Sequence, residues 1–157
     1  PYLKARHLFH EKPFSGITNY MNEKTVFEKI IDREIAADIV YEDEISLAFL
    51  DINPVTKGHT LLISKDPYPW MTDVPDELIG KLFIKAKHIM VAMKKSLGCN
   101  FIHVGVVGTD VPHFHIHLIP KFIKEDKSHI PPDMRHHEPY TDNTEKQEYI
   151  DKIKNSL

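Results

Sequence analysis

The sequence predicts an α+β fold in which an antiparallel sheet of about five strands packs with two main helices and a C-terminal helix. Two observations predict this class. Several short apolar segments are separated by turn residues, which is typical of strands paired through tight turns. Other segments repeat apolar residues at intervals of three and four, which is the spacing of a helix with one buried face. Strands paired by short turns, together with a few helices, indicate an antiparallel sheet.

The first third of the chain predicts one short helix and three strands. Thr25 is a residue type that caps helices, and Phe27, Ile30 and Ile31 give the segment from residue 26 to about residue 33 an apolar face. Turn residues, including Asn-Pro and Lys-Gly pairs, separate the strands that follow. These strands are predicted over residues 39–41, 46–51 and 59–64.

The clearest element is a long helix from about residue 75 to residue 97, in which apolar residues recur at helical spacing. Pro75 suits the first turn of this helix, and Gly98 suits the position after its last turn. Two further strands are predicted over about residues 100–107 and 111–120. A closing helix is predicted from about residue 143 to residue 156, where Ile150 and Ile153 mark its apolar face.

The first and last of the predicted helices and strands indicate the domain organisation. Residues 1–20 show no period and precede Met21, so we expect them to be an N-terminal extension that was added or lies upstream of the natural start. A natural arm packed on the domain is the alternative. We expect one domain over residues 21–122 and a C-terminal tail with its helix over residues 123–157.

The composition excludes several classes of protein. The 157 residues carry a formal charge of −3, which argues against a strongly basic face for nucleic acid, so we expect no nucleic-acid partner. The single cysteine, Cys99, excludes an intramolecular disulfide and zinc modules built from several cysteines. Apolar runs are too short for a membrane span, so we expect no membrane partner and a reducing, cytoplasmic compartment.

Three histidines at alternate positions give the sequence its most specific signal. His113, His115 and His117 lie two residues apart in a predicted strand, so all three rings are expected on one face. Phe114, Ile116 and Leu118 then form the opposite, apolar face. Two chemistries use such a row. Imidazoles bind metal ions, and a neutral imidazole can also attack phosphorus while its neighbours hold the phosphate oxygens.

The residues around this row resemble a known family. The segment VPHFHIHLIP, residues 111–120, resembles the H-x-H-x-H-x-x signature of the histidine-triad (HIT) nucleotide hydrolases and transferases. Three upstream segments are similar to family segments in the same order and spacing, over about residues 22–120. They are TVFEKII at residues 25–31, FLDINP at residues 49–54 and GHTLLI at residues 58–63.

The resemblance implies a HIT-like fold, paired as a homodimer, and a catalytic set. His115 matches the family's nucleophile, which attacks the α-phosphorus of a nucleotide and forms a covalent nucleotidyl-histidine. His117 and His113 would hold phosphate oxygens or support the ring network, and His59 would be a hydrogen-bonded neighbour behind them. An attacking ring must be unprotonated at one nitrogen, and its other nitrogen should donate to a fixed acceptor such as a backbone carbonyl.

The resemblance also implies a nucleotide-binding set. Asp51 matches the ribose-binding aspartate, although it could instead be a turn residue. Gly108 matches a loop glycine whose N–H approaches the phosphate. Asp110 replaces a small hydroxyl residue that faces the α-phosphate in the family, which puts the substrate in doubt. The apolar positions that sandwich the base, each of which could equally be core, are Phe27, Ile30, Phe49 and Ile52.

The chain departs from the family at the zinc site. Thr25 and Glu28 stand where family members that bind zinc have two cysteines, and those members complete the site with histidines matching His59 and His113. A mixed site of Glu28, His59 and His113 is chemically conceivable, since glutamate is an acceptable zinc ligand. We expect no metal and no other cofactor.

These comparisons of residues predict an enzyme that hydrolyses adenosine 5′-phosphoramidates or related AMP conjugates and releases the nucleoside monophosphate. A dinucleoside polyphosphate hydrolase is an alternative. A catalytically weak purine-nucleotide-binding protein is another, favoured by the altered loop and the missing cysteines, whereas the intact triad argues against it. A metal-dependent histidine cluster is the remaining hypothesis. The expected partners are a purine nucleotide and a second copy of the chain.

Overall fold

The computed structural model describes residues 23–108, 110–123 and 135–157. These residues form a five-stranded antiparallel sheet with strand order β1-β2-β3-β5-β4 and three α-helices, which confirms the predicted α+β class. The strands are β1 (Ile39–Glu42), β2 (Ser46–Leu50), β3 (Thr60–Ser64), β4 (Phe101–Gly105) and β5 (His115–Lys121). The helices are α1 (Val26–Ile31), α2 (Asp76–Leu97) and α3 (Asn143–Lys154).

Helices cover both faces of the sheet. Helices α2 and α3 pack on one face, where Ile116 and Leu118 of β5 join the main hydrophobic core. Helix α1 covers the other face, where Phe27 and Ile30 pack with Phe49 and other apolar residues of β2 and β3 in a second cluster. The histidines of β5 belong to this second face.

The predicted strand over residues 111–120 is wrong in its first part. Strand β5 begins at His115, so His113 precedes the sheet ladder. Pro112 has no N–H to donate, the His113 N–H donates to the Val111 carbonyl, and the Phe114 N–H donates to the Tyr68 carbonyl. The backbone in front of β5 is therefore held by local bonds and by the loop at Tyr68, and not by a neighbouring strand.

Helix α2 spans 22 residues and ends as the sequence predicts. Gly98 has a φ of 68°, in the left-handed region, and its N–H donates to the Lys94 carbonyl. Pro75 lies at the position before the first helical residue, one residue earlier than predicted. None of the helices in the described ranges combines the length and the apolar character that crossing a membrane requires.

The C-terminal helix packs against the rest of the molecule. Ile150 and Ile153 are buried in the main core, as the sequence predicts. The Gly58 N–H donates to the Tyr140 hydroxyl at 2.8 Å, and Lys146 lies 2.9 Å from Asp38. The predicted extension over residues 1–20, residues 124–134 of the predicted tail, and Thr109 lie outside the described residues.

Helix α1 is short, and a capping box stabilises its first turn. The Glu28 N–H donates to Oγ1 of Thr25, and the Thr25 N–H donates to Oε2 of Glu28 at 2.8 Å. This confirms Thr25 as the cap. Because a helix of six residues has little intrinsic stability, the cap and the packing of Phe27 and Ile30 hold it over the sheet.

Replacing the cap should loosen α1. We expect Thr25→Ala to lower the free energy of unfolding by about 1 kcal/mol, because one helical N–H loses its acceptor. The measurement is urea denaturation followed by circular dichroism. Thr72→Ala, at an exposed position outside α1, is the matched control and should stay within about 0.5 kcal/mol of the parent. Equal effects of the two substitutions would contradict the role of the cap.

Candidate active site

The three triad rings come together between β5 and α1. His115 pairs with Ile63 and His117 pairs with Leu61 across β3, so both rings share the face of the second apolar cluster. The ring centroids of His115 and His117 are 4.9 Å apart. The Phe27 ring of α1 stands edge-on to His115, at a centroid distance of 5.1 Å, and to His113, at 5.9 Å. All three triad side chains are at most 8% exposed.

One hydrogen bond sets the protonation state of His115. Its Nδ1 lies 2.6 Å from the carbonyl oxygen of His113. A carbonyl can only accept, so Nδ1 carries the proton, and Nε2 of the neutral ring has a free lone pair. This is the arrangement that an attacking histidine requires, and the acceptor is the backbone of the neighbouring triad residue.

A hydrogen bond from His59 places the proton of His117 on Nε2, the opposite ring nitrogen from that in His115. The Val55 N–H donates to Nδ1 of His59 at 3.3 Å, so in the neutral His59 ring the proton lies on Nε2. Nε2 of His59 is 3.0 Å from Nδ1 of His117 and donates to it. The proton of neutral His117 is therefore on Nε2. No group among the described residues forms a hydrogen bond to this N–H, although the backbone of Val107 lies near enough to raise the pKa of the ring.

His113 has a structural partner at one nitrogen only. Its Nε2 donates to the Ser64 carbonyl at 2.8 Å, which ties the loop before β5 to the end of β3. Its Nδ1 is buried and has no hydrogen-bond partner among the described residues. His113 thus supports His115 through its carbonyl and through ring packing. Its own ring nitrogens face the Ser64 backbone and the interior.

Burial dominates the titration of this histidine cluster. It lowers the pKa of His59, His113, His115 and His117, since a charged imidazole loses its hydration inside an apolar site. The charge of Asp51 acts in the opposite direction on three of the rings and raises their pKa. Burial outweighs it, so the rings are neutral at pH 7 and keep the lone pair and N–H pattern described above.

Six of the predicted nucleotide-binding residues, all except Gly108, border one pocket of about 950 Å³ next to the histidines, a volume within the usual range of ligand sites. Phe27, Ile30 and Phe49 form its apolar wall and are also part of the second cluster. Ile52 lies at the rim and is 86% exposed. The role of these residues in holding a base stays a prediction.

Asp51 fits both interpretations that the sequence leaves open. Its Oδ1 accepts from the Asn53 N–H at 2.8 Å, which is the bond of a turn aspartate. Its Oδ2 lies 3.5 Å from Nδ1 of His59, and the side chain borders the pocket. The turn bond orients the carboxylate toward the pocket and the histidines.

Gly108 and Asp110 both lie in the loop before β5, but only Asp110 borders the pocket. Asp110 borders the pocket, and its charge raises the pKa of both His115 and His117. Gly108 lies against the ring of Trp70, where an added Cβ would come within 3.1 Å of the indole. Gly108 therefore permits the close packing of this loop on Trp70. Its approach to a phosphate stays a prediction.

The positions of the family's zinc cysteines do not fit a metal here. Thr25 and Glu28 bond to each other in the capping box. Among the described residues, the group with ligand atoms within 4.8 Å of one another is Asp51, His59 and His117, which includes neither Glu28 nor His113. The two rings of that group are already joined by their own hydrogen bond.

Residues near the C-terminus also border the pocket, which the sequence did not predict. Arg135 and His137 line it, and Nδ1 of His137 donates to the Asn53 carbonyl at 2.8 Å. Glu138 N–H donates to the Pro54 carbonyl in the same region. These contacts join segments more than 80 residues apart, so no local pattern could have indicated them.

Comparison with known proteins identifies a family for this chain. The family model described as the HIT domain matches residues 32–124. An uncharacterised HIT-like protein of Methanocaldococcus jannaschii is 43% identical over 102 residues, which cover 62% of this chain and 78% of that protein. A Saccharomyces cerevisiae protein named adenosine 5′-monophosphoramidase is 34% identical over 129 residues, which cover 82% of this chain and 79% of that protein.

Solved structures lead to the same family. The crystal structure of a HIT-like protein from Bartonella henselae superposes with a TM-score of 0.73 at 29% identity, and the match covers 85% of this chain and 96% of that chain. The chain belongs to the HIT family.

The lowered histidine pKa values predict that acid destabilises the protein. As the pH falls below about 6.5, the unfolded chain takes up protons before the folded chain does. The histidine contribution is therefore intact above that pH and is lost as the pH falls further. We expect the free energy of unfolding, measured by urea denaturation, to decrease from pH 7 to pH 5.

Two substitutions test the source of this dependence. His59→Gln removes one buried titrating ring and should make the pH dependence weaker. His88→Gln, at an exposed position on α2, should leave it unchanged. A free energy of unfolding that is constant from pH 7 to pH 5 would show that the buried rings do not titrate as argued.

Proposed function

We propose that this protein is a hydrolase that cleaves phosphoramidates and related conjugates of nucleoside monophosphates at the α-phosphorus. The observation that carries the proposal is the pair of opposite proton states on adjacent rings. Nε2 of His115 offers a lone pair, and Nε2 of His117 offers a proton, on the same face of β5. Nucleophilic displacement at phosphorus needs these two functions side by side. The yeast relative is named for this activity on AMP.

In the first step, Nε2 of His115 forms a bond to the α-phosphorus and the bond from phosphorus to the leaving nitrogen breaks. The leaving amine needs a proton, and His117 supplies it from Nε2. A bound phosphate adds a negative charge near His117, which raises the pKa of the ring and favours uptake of an extra proton by the His59–His117 pair. The Asp51 carboxylate, 3.5 Å from Nδ1 of His59, stabilises that added charge.

In the second step, water attacks the phosphorus and the bond from phosphorus to Nε2 of His115 breaks. Once His117 has given up its Nε2 proton, the proton of His59 Nε2 passes to Nδ1 of His117, the extra proton of the pair stays on His59 Nδ1, and both rings are neutral. Nε2 of His117 is then bare and takes the proton of the attacking water. The products are the nucleoside monophosphate and free His115, and His117 holds again the proton that it gave in the first step. Dividing one difficult displacement into two easier ones is the gain from nucleophilic catalysis.

The pocket supports a purine nucleotide as the substrate. In this proposal, the base lies against Phe27, Ile30 and Phe49, with Ile52 at the rim, and the ribose hydroxyls donate to Asp51. The α-phosphate then lies at His115 and His117, with Gly108 and Asp110 in the loop beside it. The reaction needs no cofactor, since the attacking lone pair and the proton both come from side chains.

We also propose that the active form is a homodimer in a cytoplasmic, reducing compartment. Strand β4 is an edge of the sheet, and apolar side chains lie exposed on it and on α2, including Ile84 at 56% and Val91 at 60%. A second copy would cover such surface. The single thiol, Cys99, is buried, and burial raises its pKa, which keeps it unreactive.

The proposed nucleophile gives the first test. Wild-type protein should release AMP from adenosine 5′-phosphoramidate, and His115→Ala should lose at least about 10³-fold in kcat because no covalent intermediate can form. Product release is measured by chromatography, with chelator-treated protein as a second sample that should keep its activity. His88→Ala is the matched control and should retain full activity.

Two further substrates separate the alternatives. Diadenosine polyphosphate is assayed beside the phosphoramidate, and faster cleavage of it would favour the polyphosphate hydrolase. Fluorescence of Trp70, the single tryptophan, which packs on the loop at Gly108, reports AMP binding. A wild-type protein that binds AMP but hydrolyses no substrate would refute the enzyme and leave the binding protein.

His59 should act as a positioning residue for His117. We expect His59→Ala to reduce kcat by about 10²-fold with a small change in KM, since without the His59 donor His117 can move its proton to Nδ1. His59→Gln carries an amide N–H that can replace the donor and should restore part of the rate. A loss confined to KM, or equal losses in the two variants, would contradict this role.

A further inference from the structure

The histidine pocket is also lined by an ion pair that the proposed mechanism does not use. Nζ of Lys146 lies 2.9 Å from Oδ2 of Asp38, and both residues line the pocket. Asp38 immediately precedes β1 and Lys146 belongs to α3, so the pair joins elements that are far apart in the chain. The two side chains are 32% and 30% exposed, and a molecule in the pocket can therefore reach their polar atoms.

The strand order places this pair at the other end of the pocket from the triad. His115 and His117 lie on β5, which is three strand spacings, about 14 Å, from β1. Asp51 follows β2, and the N–H of Leu50 at the end of β2 donates to the Asp38 carbonyl. Crossing the sheet from β5 therefore leads from the proposed phosphate position to the proposed ribose position at Asp51, and then to Asp38.

The side walls and the far end of the pocket differ in chemistry. Phe27, Ile30 and Phe49 offer apolar surface to the faces of a base, and such surface discriminates poorly between bases. Asp38 and Lys146 instead offer hydrogen bonds to the edge of a base. Their contact with each other does not exhaust them, because a carboxylate can accept several hydrogen bonds and an ammonium can donate several.

Guanine matches this pair better than adenine does. The edge of guanine carries O6, which accepts, next to N1–H and the N2 amine, which both donate. A carboxylate can accept from both of these donors while a neighbouring ammonium donates to O6. Adenine carries only the N6 amine as a donor, next to the acceptor N1, and hypoxanthine lacks the N2 amine. With either of these two bases, one carboxylate oxygen is left without its bond to the base.

We propose that Asp38 and Lys146 bind the edge of the base and that they make the protein prefer guanine nucleotides to adenine nucleotides. The Asp38 carboxylate accepts from N1–H and the N2 amine, and the Lys146 ammonium donates to O6. This inference rests on the proposed hydrolase function and narrows its substrate class to conjugates of guanosine monophosphate. The two residues determine specificity only, since the chemistry at His115 is the same for every base.

The test compares the 5′-phosphoramidates of guanosine, inosine and adenosine, which share the ribose and the P–N bond that breaks. For the wild type we expect kcat/KM to be about tenfold higher for the guanosine substrate than for the other two, because they leave a polar group of the site unpaired. Inosine isolates the N2 amine, since it differs from guanosine in that group alone. The dissociation constants of GMP, IMP and AMP, measured through the fluorescence of Trp70, should follow the same order.

Substitutions at the ion pair assign the preference. Asp38→Asn keeps the shape of the side chain and replaces one acceptor by a donor, so the ratio of kcat/KM between guanosine and adenosine substrates should fall to about 1. Lys146→Met removes the donor to O6 and should also lower this ratio. Glu148→Gln, which removes an exposed carboxylate elsewhere on α3, is the matched control and should keep the wild-type ratio. Because the ratio compares two substrates on one variant, it does not depend on the amount of folded enzyme.

Arg135 is the competing source of a guanine preference. It also lines the pocket, and an arginine can donate to O6 and N7 of guanine. If the ion pair reads the base, Arg135→Gln should keep the preference for the guanosine substrate. Loss of the preference in Arg135→Gln, together with its retention in Asp38→Asn, would overturn the assignment to the ion pair.

The proposed hydrolase and the base preference fail in different ways. If none of the three phosphoramidates is hydrolysed, the hydrolase is refuted, and the order of the dissociation constants decides the base preference. If all three are hydrolysed with equal kcat/KM, or if the preference survives in both Asp38→Asn and Lys146→Met, the hydrolase stands and the role of the ion pair is refuted.

Discussion

The pairing of β5 with β3 determines the geometry on which the site depends. This register places His115 opposite Ile63 and His117 opposite Leu61, so both rings lie on the face that α1 covers. A shift by one residue would turn the rings toward the main core and place Ile116 and Leu118 on the face that α1 covers. The buried apolar residues of β5 make such a shift costly, because Ile116 and Leu118 are fully buried. The same burial that stabilises the sheet therefore orients the histidines.

The backbone around β5 then assigns the protons. One carbonyl, that of His113, holds the proton of His115 at Nδ1, while the Val55 N–H acts through His59 to place the proton of His117 at Nε2. Neither assignment needs a charged group in contact with the rings. Burial keeps all four rings neutral, and neutrality preserves the difference between lone pair and N–H. A more exposed cluster would exchange protons with water and lose this order.

Elements distant in the sequence complete the pocket. Helix α1 supplies Phe27, the loop before β5 supplies Asp110, and the segment after residue 134 supplies Arg135 and His137. The strands therefore carry the reacting histidines, while loops and the C-terminal segment border the space around them. This division is common in enzymes, since loops can vary without disturbing the sheet that positions the chemistry.

Local patterns in the sequence determined the elements and the set of candidate residues. Helical spacing located α2 and α3, the Thr25 cap located α1, and alternation separated the histidine face of β5 from its apolar face, because side-chain periodicity is a property of the local backbone. The tertiary structure alone decided where β5 begins, since the Phe114 N–H bonds to the distant Tyr68 carbonyl. It also decided the hydrogen bond between His59 and His117 and the position of His137 at the Asn53 carbonyl. These two bonds join residues that are 58 and 84 positions apart. Contacts over such separations arise from packing, which no local period of the sequence encodes.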